Sequence, residues 1–208
     1  RAACNKLWRD KNGFMWIATT RGVWCYDELR NTLQHYNTES GLISNMVLAV
    51  NEDTTGSYYF GTAEGLSVLS TNGKFTNYNR TNGLRNNRCE GIIRDAEGFI
   101  WIGNLSCILR FDPGKKTFAL FEEGLGFNHS GFRMRSCHQS ANGELFWGTD
   151  KGLVYFFPKQ LAQTVTAIQP SISAMQVGDS VLRFTIQESF TFSYNTSSFV
   201  FYYSTGEL

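Results

Sequence analysis

Gly13-Phe14-Met15-Trp16-Ile17-Ala18-Thr19 returns three times along the chain. The later copies are Gly56-Ser57-Tyr58-Tyr59-Phe60-Gly61-Thr62, Gly98-Phe99-Ile100-Trp101-Ile102-Gly103 and Gly143-Glu144-Leu145-Phe146-Trp147-Gly148-Thr149. The leading glycines, at 13, 56, 98 and 143, are 43, 42 and 45 residues apart. A second glycine follows nine residues after the first at Gly22, Gly65 and Gly152, with Cys107 in its place in the third copy. Tyr36, Tyr78 and Phe121 recur too, each ahead of a Gly-Leu pair: Gly41-Leu42, Gly83-Leu84 and Gly124-Leu125. A period near 43, made of short strands without helical periodicity, predicts four-stranded β-propeller blades.

Ahead of each leading glycine stands a turn-former: Asp10-Lys11-Asn12, Asp53-Thr54-Thr55, Asp95-Ala96-Glu97 or Ser140-Ala141-Asn142. The Asp or Ser side chain accepts from the turn backbone, and Gly supplies the positive φ. Repeated Asp would also suit calcium, but a hairpin requires the same residues and is the simpler reading. Side chains then alternate between faces of the strand. Trp16 and Ala18 share one face, as do Tyr59 and Gly61, Trp101 and Gly103, and Phe146 and Gly148. A ring beside a minimal side chain lets one blade's ring lie over the next blade. Each such ring contributes about 1.5–3 kcal/mol by burial. Ile17, Phe60, Ile102 and Trp147 make the opposite face apolar as well, so the aromatic stripe is core rather than a carbohydrate platform.

The spacing places an outer strand at Thr32–Tyr36, the innermost at Met46–Asn51, and the next two at Tyr58–Thr62 and Leu66–Ser70. On this phasing the first blade lacks its own outer strand. Four blades are the lower limit for a closed ring. Residues 1–158 are therefore expected to be the C-terminal part of a larger propeller. After Phe157-Pro158 the repeat stops. Leu161–Gln169 suggests a connector. Short strands follow at Ser171–Val177, Val181–Ile186, Phe190–Tyr194 and Phe199–Tyr203. A sandwich needs about 100 residues, so 159–208 are expected to be a connector and the first strands of an incomplete Ig-like β-sandwich. The fold class is all-β.

Composition narrows the function. The formal net charge is +1 and there is no long run of Lys or Arg, which argues against a nucleic-acid surface. No stretch approaches the length of a membrane span. Five cysteines without CxxC spacing are neither a disulfide framework nor a zinc site; they are expected to be small core residues on strands. His35, His129 and His138 lack metal-ligand spacing. There is no Gly-x-Ser-x-Gly, P-loop, dinucleotide fingerprint or His-Glu-x-x-His. Glu122-Glu123 are adjacent in a loop, and the inner strands offer only Arg88, Glu90, Arg133 and Arg135. No catalytic residue, metal or cofactor is expected, and the segment is read as a binding module.

Two departures from the repeat single out one face. Gly41 to Gly56 and Gly83 to Gly98 span 15 residues, whereas Gly124 to Gly143 spans 19. The excess lies between Gly126 and Arg135. The other irregular spot is the turn Asn104-Leu105-Ser106-Cys107. In a four-stranded blade the outer-to-inner connection and the turn after the second strand emerge on the same face. Loops on a rigid scaffold carry function, and the candidate ligand residues are Arg85, Asn86, Asn104, Phe127, Asn128, His129, Arg133 and Arg135. The competing reading is drift where the ring closes or meets the next domain.

The repeat resembles the two-component regulator propeller family, in Gly41-Leu42-Ile43-Ser44-Asn45, Asp95 to Gly98, Trp101-Ile102-Gly103 and Phe111-Asp112-Pro113. Pro170-Ser171-Ile172-Ser173 and the stretch from Ser193 to Phe201 are similar to the start of the Ig-like domain that follows such propellers. The resemblance implies part of the periplasmic sensor of an inner-membrane hybrid two-component system of Bacteroides-type gut bacteria. Such sensors detect oligosaccharides and signal to polysaccharide-utilisation genes. Partners it implies are the oligosaccharide and the remaining blades and Ig-like domain of the same protein; the kinase, receiver and DNA-binding parts are not among these 208 residues. Arginine at the ligand face would favour a uronic or sulfated fragment, which a guanidinium grips in a bidentate way. Two alternatives stand beside this reading: a scaffold that transmits or dimerises, and a propeller enzyme acting on polysaccharide.

Overall fold

The computed structural model describes residues 2–104, 107–121, 132–164, 171–177, 180–183 and 199–204. The first sheet runs β1 (Cys4–Arg9), β2 (Met15–Thr19), β3 (Gly22–Asp27) and β4 (Thr32–Tyr36). The second is β5 (Val47–Glu52), β6 (Tyr58–Thr62), β7 (Leu66–Leu69) and β8 (Phe75–Tyr78). The third is β9 (Gly91–Arg94), β10 (Ile100–Gly103), β11 (Ile108–Asp112) and β12 (Thr117–Phe121). The fourth holds β13 (Phe132–Gln139), β14 (Leu145–Thr149) and β15 (Gly152–Phe156). Each is an antiparallel meander in chain order, as propeller blades require. The strands β1, β5, β9 and β13 neighbour one another on the inner side.

The phase of the repeat differs from the sequence-based reading. Thr32–Tyr36 closes the first sheet instead of opening the second, pairing with β3 from Val23↔Tyr36 to Asp27↔Thr32. The cause is local: Asp27 Oδ1 accepts from the amides of Leu29 and Arg30 and folds residues 28–31 into a short turn. The first sheet is thus complete, and the fourth has three strands among the described residues.

Three hydrophobic clusters fill the three junctions between consecutive sheets. Trp16, Ala18 and Val23 meet Val47, Val50, Phe60 and Leu69. Tyr59, Leu66 and Tyr78 meet Ile92, Ile100, Ile102 and Phe111. Ile93, Trp101 and Phe121 meet Leu145, Trp147 and Phe156. Both faces of the middle sheets are therefore buried. Polar ties reinforce the junctions: Asn5 Nδ2 donates to the Val47 carbonyl at 2.8 Å, and Asn51 Nδ2 to that of Ile92 at 3.2 Å.

The fourth copy corrects one expected core residue. Phe146 is only half-buried, and its neighbour Trp147 is the enclosed ring, 2% exposed. Phe146 sits on the face of the fourth sheet that no described sheet covers, whereas Trp147 points back into the third. A Cβ on Gly103 would lie 2.5 Å from Trp147 Cζ3. The slot over Gly103 is thus filled from the following sheet, not by Trp101 of its own strand. Gly148 meets Ser136, and Gly61 meets Cys89 and Ile92.

Cysteine placement also departs in part from expectation. Cys89 and Cys107 are buried, Cys25 and Cys137 lie at intermediate depth, and Cys4 is exposed. Cys4 opens β1, on the outward side of the first sheet's inner strand, where no further sheet packs among the described residues.

The chain divides into two compact units, Arg1–Leu161 and Ala162–Leu208. At their join, a helix, α1 (Pro158–Thr164), replaces the start of the expected connector. Pro158 suits a first helical position, and Lys159, Gln160, Leu161 and Ala162 are strong helix formers. Leu161 is 8% exposed and belongs to the cluster between the third and fourth sheets. Within the second unit, β16 (Ser171–Val177) lies between β17 (Ser180–Arg183) and β18 (Phe199–Ser204), all antiparallel. The expected strand Phe190–Tyr194 lies outside the described residues.

Candidate functional site

The connections between sheets are built to one pattern. In residues 37–46 the Thr38 amide donates to Asn45 Oδ1, and the Met46 amide to Ser44 Oγ. In residues 79–90 the Arg80 amide donates to Asn87 Oδ1, and the Arg88 amide to Asn86 Oδ1. In the second connection Arg85 is exposed, whereas its counterpart in the first, Ile43, is half-buried and its amide donates to Ser67 Oγ at 3.0 Å. The turn after the second strand comes to the same face. The Gly22 amide donates to the Asn45 carbonyl at 2.6 Å, and the Cys89 amide to the Thr62 carbonyl at 3.0 Å.

This geometry sorts the expected ligand residues. Asn86 is half-buried, and its carbonyl oxygen serves the clasp as Ser44 does one sheet earlier. Asn104 is 0% exposed, and its Oδ1 accepts from the Cys107 amide at 3.1 Å. It occupies the position of Thr19, Thr62 and Thr149, whose hydroxyls close the same turn on Gly22, Gly65 and Gly152. Asn104 is therefore a turn residue. Arg133 is exposed on β13, within a register shift between Phe132 and Cys137. Arg135 lies on the same strand. Phe127, Asn128 and His129 lie outside the described residues. Arg85 and Arg133 are both exposed, the first in the connection ahead of β9 and the second near the start of β13.

The connection ahead of β9 also carries an ion pair. Arg88 Nε donates to Glu90 Oε1, with 31% of the arginine side chain exposed and 5% of the glutamate's. Both residues precede β9 instead of lying on it as expected. Glu90 Oε2 is buried and has no hydrogen-bond partner among the described residues. The Glu90 amide donates to the Gly103 carbonyl at 2.8 Å, so the carboxylate is anchored at the mouth of the inner strands.

A second concavity lies at the opposite end, where the hairpin turns emerge. A cleft of about 590 Å³ between the first two sheets is lined by Phe14, Trp16, Tyr36, Tyr58, Gln34 and Arg30, among others. Arg30 pairs with Asp27 at 3.0 Å. The Tyr58 hydroxyl donates to Asp10 Oδ2 at 2.7 Å, and burial first, then that carboxylate, pushes the phenol's pKa far up. The cleft exists because Leu69 stands where the third sheet has Phe111, which fills the equivalent space against Tyr59 and Tyr78. One residue difference within the repeat was the available signal. Among the described residues, no three His, Cys, Asp or Glu side chains are grouped to hold a metal.

No family model matches the chain, and no curated protein matches it. Solved structures do. The extracellular domain assigned to a hybrid two-component system of B. thetaiotaomicron superposes with TM-score 0.73 and 23% identity, over 90% of this chain and 25% of that one. A second such extracellular domain from the same organism gives 0.52 and 18%, over 96% of this chain and 33% of that one. Virginiamycin B lyase from Staphylococcus aureus gives 0.57 and 13%, over 90% and 71%. The chain therefore spans about a quarter of the length of the first of these domains. What the likeness establishes is the propeller-type fold, shared with extracellular domains of Bacteroides two-component systems.

Proposed function

We propose that this chain is part of the extracytoplasmic, ligand-sensing domain of a hybrid two-component system, facing the periplasm from an inner-membrane protein. Its ligand on this reading is an acidic oligosaccharide, and its output is control of polysaccharide-utilisation genes. The observation that carries the proposal is the fold shared over nine-tenths of the chain with the extracellular domain of a hybrid two-component system. The exposed Arg85 and Arg133 on the connection face supply the chemistry for a carboxylate or sulfate. Residues 1–158 are then blades of a larger ring and 159–208 the beginning of the Ig-like domain. The uncovered faces of the first and fourth sheets favour that larger ring: Leu7 and Leu33 on one, Leu153 and Tyr155 on the other, are 56–62% exposed.

Titration calorimetry on the complete sensor domain with uronic and sulfated oligosaccharides tests the proposal. Arg133→Ala should weaken binding by about 1.5–3 kcal/mol, the loss expected for a charged hydrogen-bonded contact, while leaving the unfolding midpoint in place. Equal affinity in wild type, Arg133→Ala and Arg85→Ala would move the ligand off this face.

A catalytic reading rests on one observation, the buried Glu90 with an arginine at its side and one oxygen unpartnered among the described residues. Incubation with polysaccharides and an assay of new reducing and unsaturated ends decides it, since a sensor leaves the polymer intact. A scaffold or dimerisation role gives no heat with any glycan.

A further inference from the structure

At two of the three junctions between sheets, a ring from the third strand of one sheet lies against the ring on the second strand of the sheet before it. Phe111 packs on Tyr59 with centroids 6.3 Å apart, and Phe156 on Trp101 at 5.1 Å. Strand register identifies the counterpart in the second sheet. Leu69 pairs with Tyr58 as Phe111 does with Ile100 and Phe156 with Leu145. Trp16 thus shares its cluster with an aliphatic residue where Tyr59 and Trp101 meet a ring, and the cleft of about 590 Å³ opens at this junction. Of its lining residues, Trp16 and Leu69 are almost wholly buried, while Phe14, Cys25, Tyr36 and Tyr58 are half-buried. Between the second and third sheets the matching turns enclose about 310 Å³, lined by Asp53, Glu97, Phe99 and Asp112 among others and reaching neither Tyr59 nor Phe111.

We propose that this cleft binds a small, neutral aromatic molecule carrying hydroxyl groups, a phenol or aryl alcohol, whose ring takes the place that Phe111 fills one junction on. The size suits a compact ligand, since such pockets run from about 300 to 1,000 Å³. Walls made of rings favour an aromatic guest, which packs edge-to-face or offset against them. The charges around the cleft are already matched. Arg30 pairs with Asp27 at 3.0 Å, the Lys11 ammonium donates to the Thr54 carbonyl at 3.2 Å, and Asp10 accepts from both Trp16 and Tyr58. A guest with a full charge would have to displace one of these bonds, whereas hydroxyl groups meet the exposed Thr32, Gln34 and Thr71. The Tyr58 hydroxyl, having donated to Asp10, can still accept a bond from the guest. The inference does not rest on the oligosaccharide reading.

The test titrates the 208-residue chain with para-hydroxybenzyl alcohol and follows the amide NMR shifts and the alkylation of Cys25. Saturable binding with a dissociation constant of about 1 mM or below is expected. The shifts should centre on Phe14, Cys25, Tyr36 and Leu69, and alkylation should slow at Cys25 but not at the exposed Cys4. Leu69→Phe rebuilds the third sheet's packing and should weaken binding at least about tenfold, the worth of one buried ring. Its unfolding midpoint should stay at or above that of wild type. Cyclohexylmethanol, similar in size but without a π-face, should bind more weakly than the aromatic probe. Three results overturn the proposal: no saturable shift at these residues, unchanged affinity in a folded Leu69→Phe chain, or equal binding of cyclohexylmethanol, a comparison that needs no variant.

Discussion

Trp101 Nε1 donates to Asp95 Oδ2 over 2.7 Å, with both residues almost wholly buried. The same bond joins Trp16 to Asp10 at 2.9 Å, and a hydroxyl version joins Tyr59 to Asp53 at 2.8 Å. The carboxylate that shapes the hairpin turn thus also receives the one polar atom of the ring six residues on. In the fourth sheet both halves change together: Ser140 replaces the acid, and Phe146 has nothing to donate.

Removing both halves of the pair should therefore cost less than the two single removals added together. Trp101→Phe leaves a buried carboxylate short of a donor and should destabilise by about 1–3 kcal/mol. Asp95→Ser in that background reproduces the fourth sheet's solution, and the double variant should lose less than the sum of the singles. Urea unfolding of the four proteins measures the coupling; strictly additive losses would mean that the bond is incidental.

Gly103→Ala should destabilise by about 1–3 kcal/mol through overpacking, because the added methyl meets the Trp147 ring. Trp147→Leu opens that slot, so the alanine should cost much less in the Trp147→Leu background. An alanine tolerated in the wild-type chain would show that the two sheets can slide apart.

Acid should act on Asp53 and Asp95 in opposite senses. At Asp53, burial pushes the pKa up, but the Thr55 and Tyr59 hydroxyls and the Ser57 and Thr55 amides outweigh it and hold the carboxyl below 3.8. Its contribution is complete above the unfolded value and is lost as pH falls through the lower folded one. At Asp95, burial outweighs the bonds from Trp101 and Phe99, and the pKa is raised. That group favours folding most when protonated, and the advantage fades as pH climbs from 3.8 through the folded value. Urea midpoints from about pH 6 to about pH 2.5 should thus fall less steeply for Asp53→Asn than for wild type, and more steeply for Asp95→Asn.

Thiol labelling should separate the cysteines by depth. Cys4 is exposed and should react first, while burial pushes Cys89 up to about 12 and Cys25 up to about 11, starving both of thiolate. The unfolded chain should titrate as five thiols. Three or one would reveal a disulfide.

Much of the fold was legible because the repeat multiplies each weak signal by four. The strand Thr32–Tyr36 was located correctly but given to the wrong sheet, since periodicity fixes spacing and leaves phase open. Only the turn held by Asp27 resolves it. Phe146 and Trp147 are adjacent, and which of them is core depends on which face of the last sheet has a neighbour, a fact no local pattern holds. The ligand face was harder. Asn104 looked irregular because its neighbours broke the motif, yet it does a threonine's work with an amide. Arg85 and Arg133 were proposed from their place in the repeat, and both are exposed. The cleft beside Tyr58 was missed because it depends on the size of one side chain, Leu69.

The Trp147 ring seated over Gly103 has a consequence for how such chains diversify. Lock and key lie 44 residues apart, at 103 and 147, in different blades. Recombination that exchanges one blade for a homologous one separates them, pairing a bulky ring with an occupied slot or a vacant slot with a small residue. Neighbouring blades must therefore be inherited together, and the smallest module that can be shuffled intact is a pair.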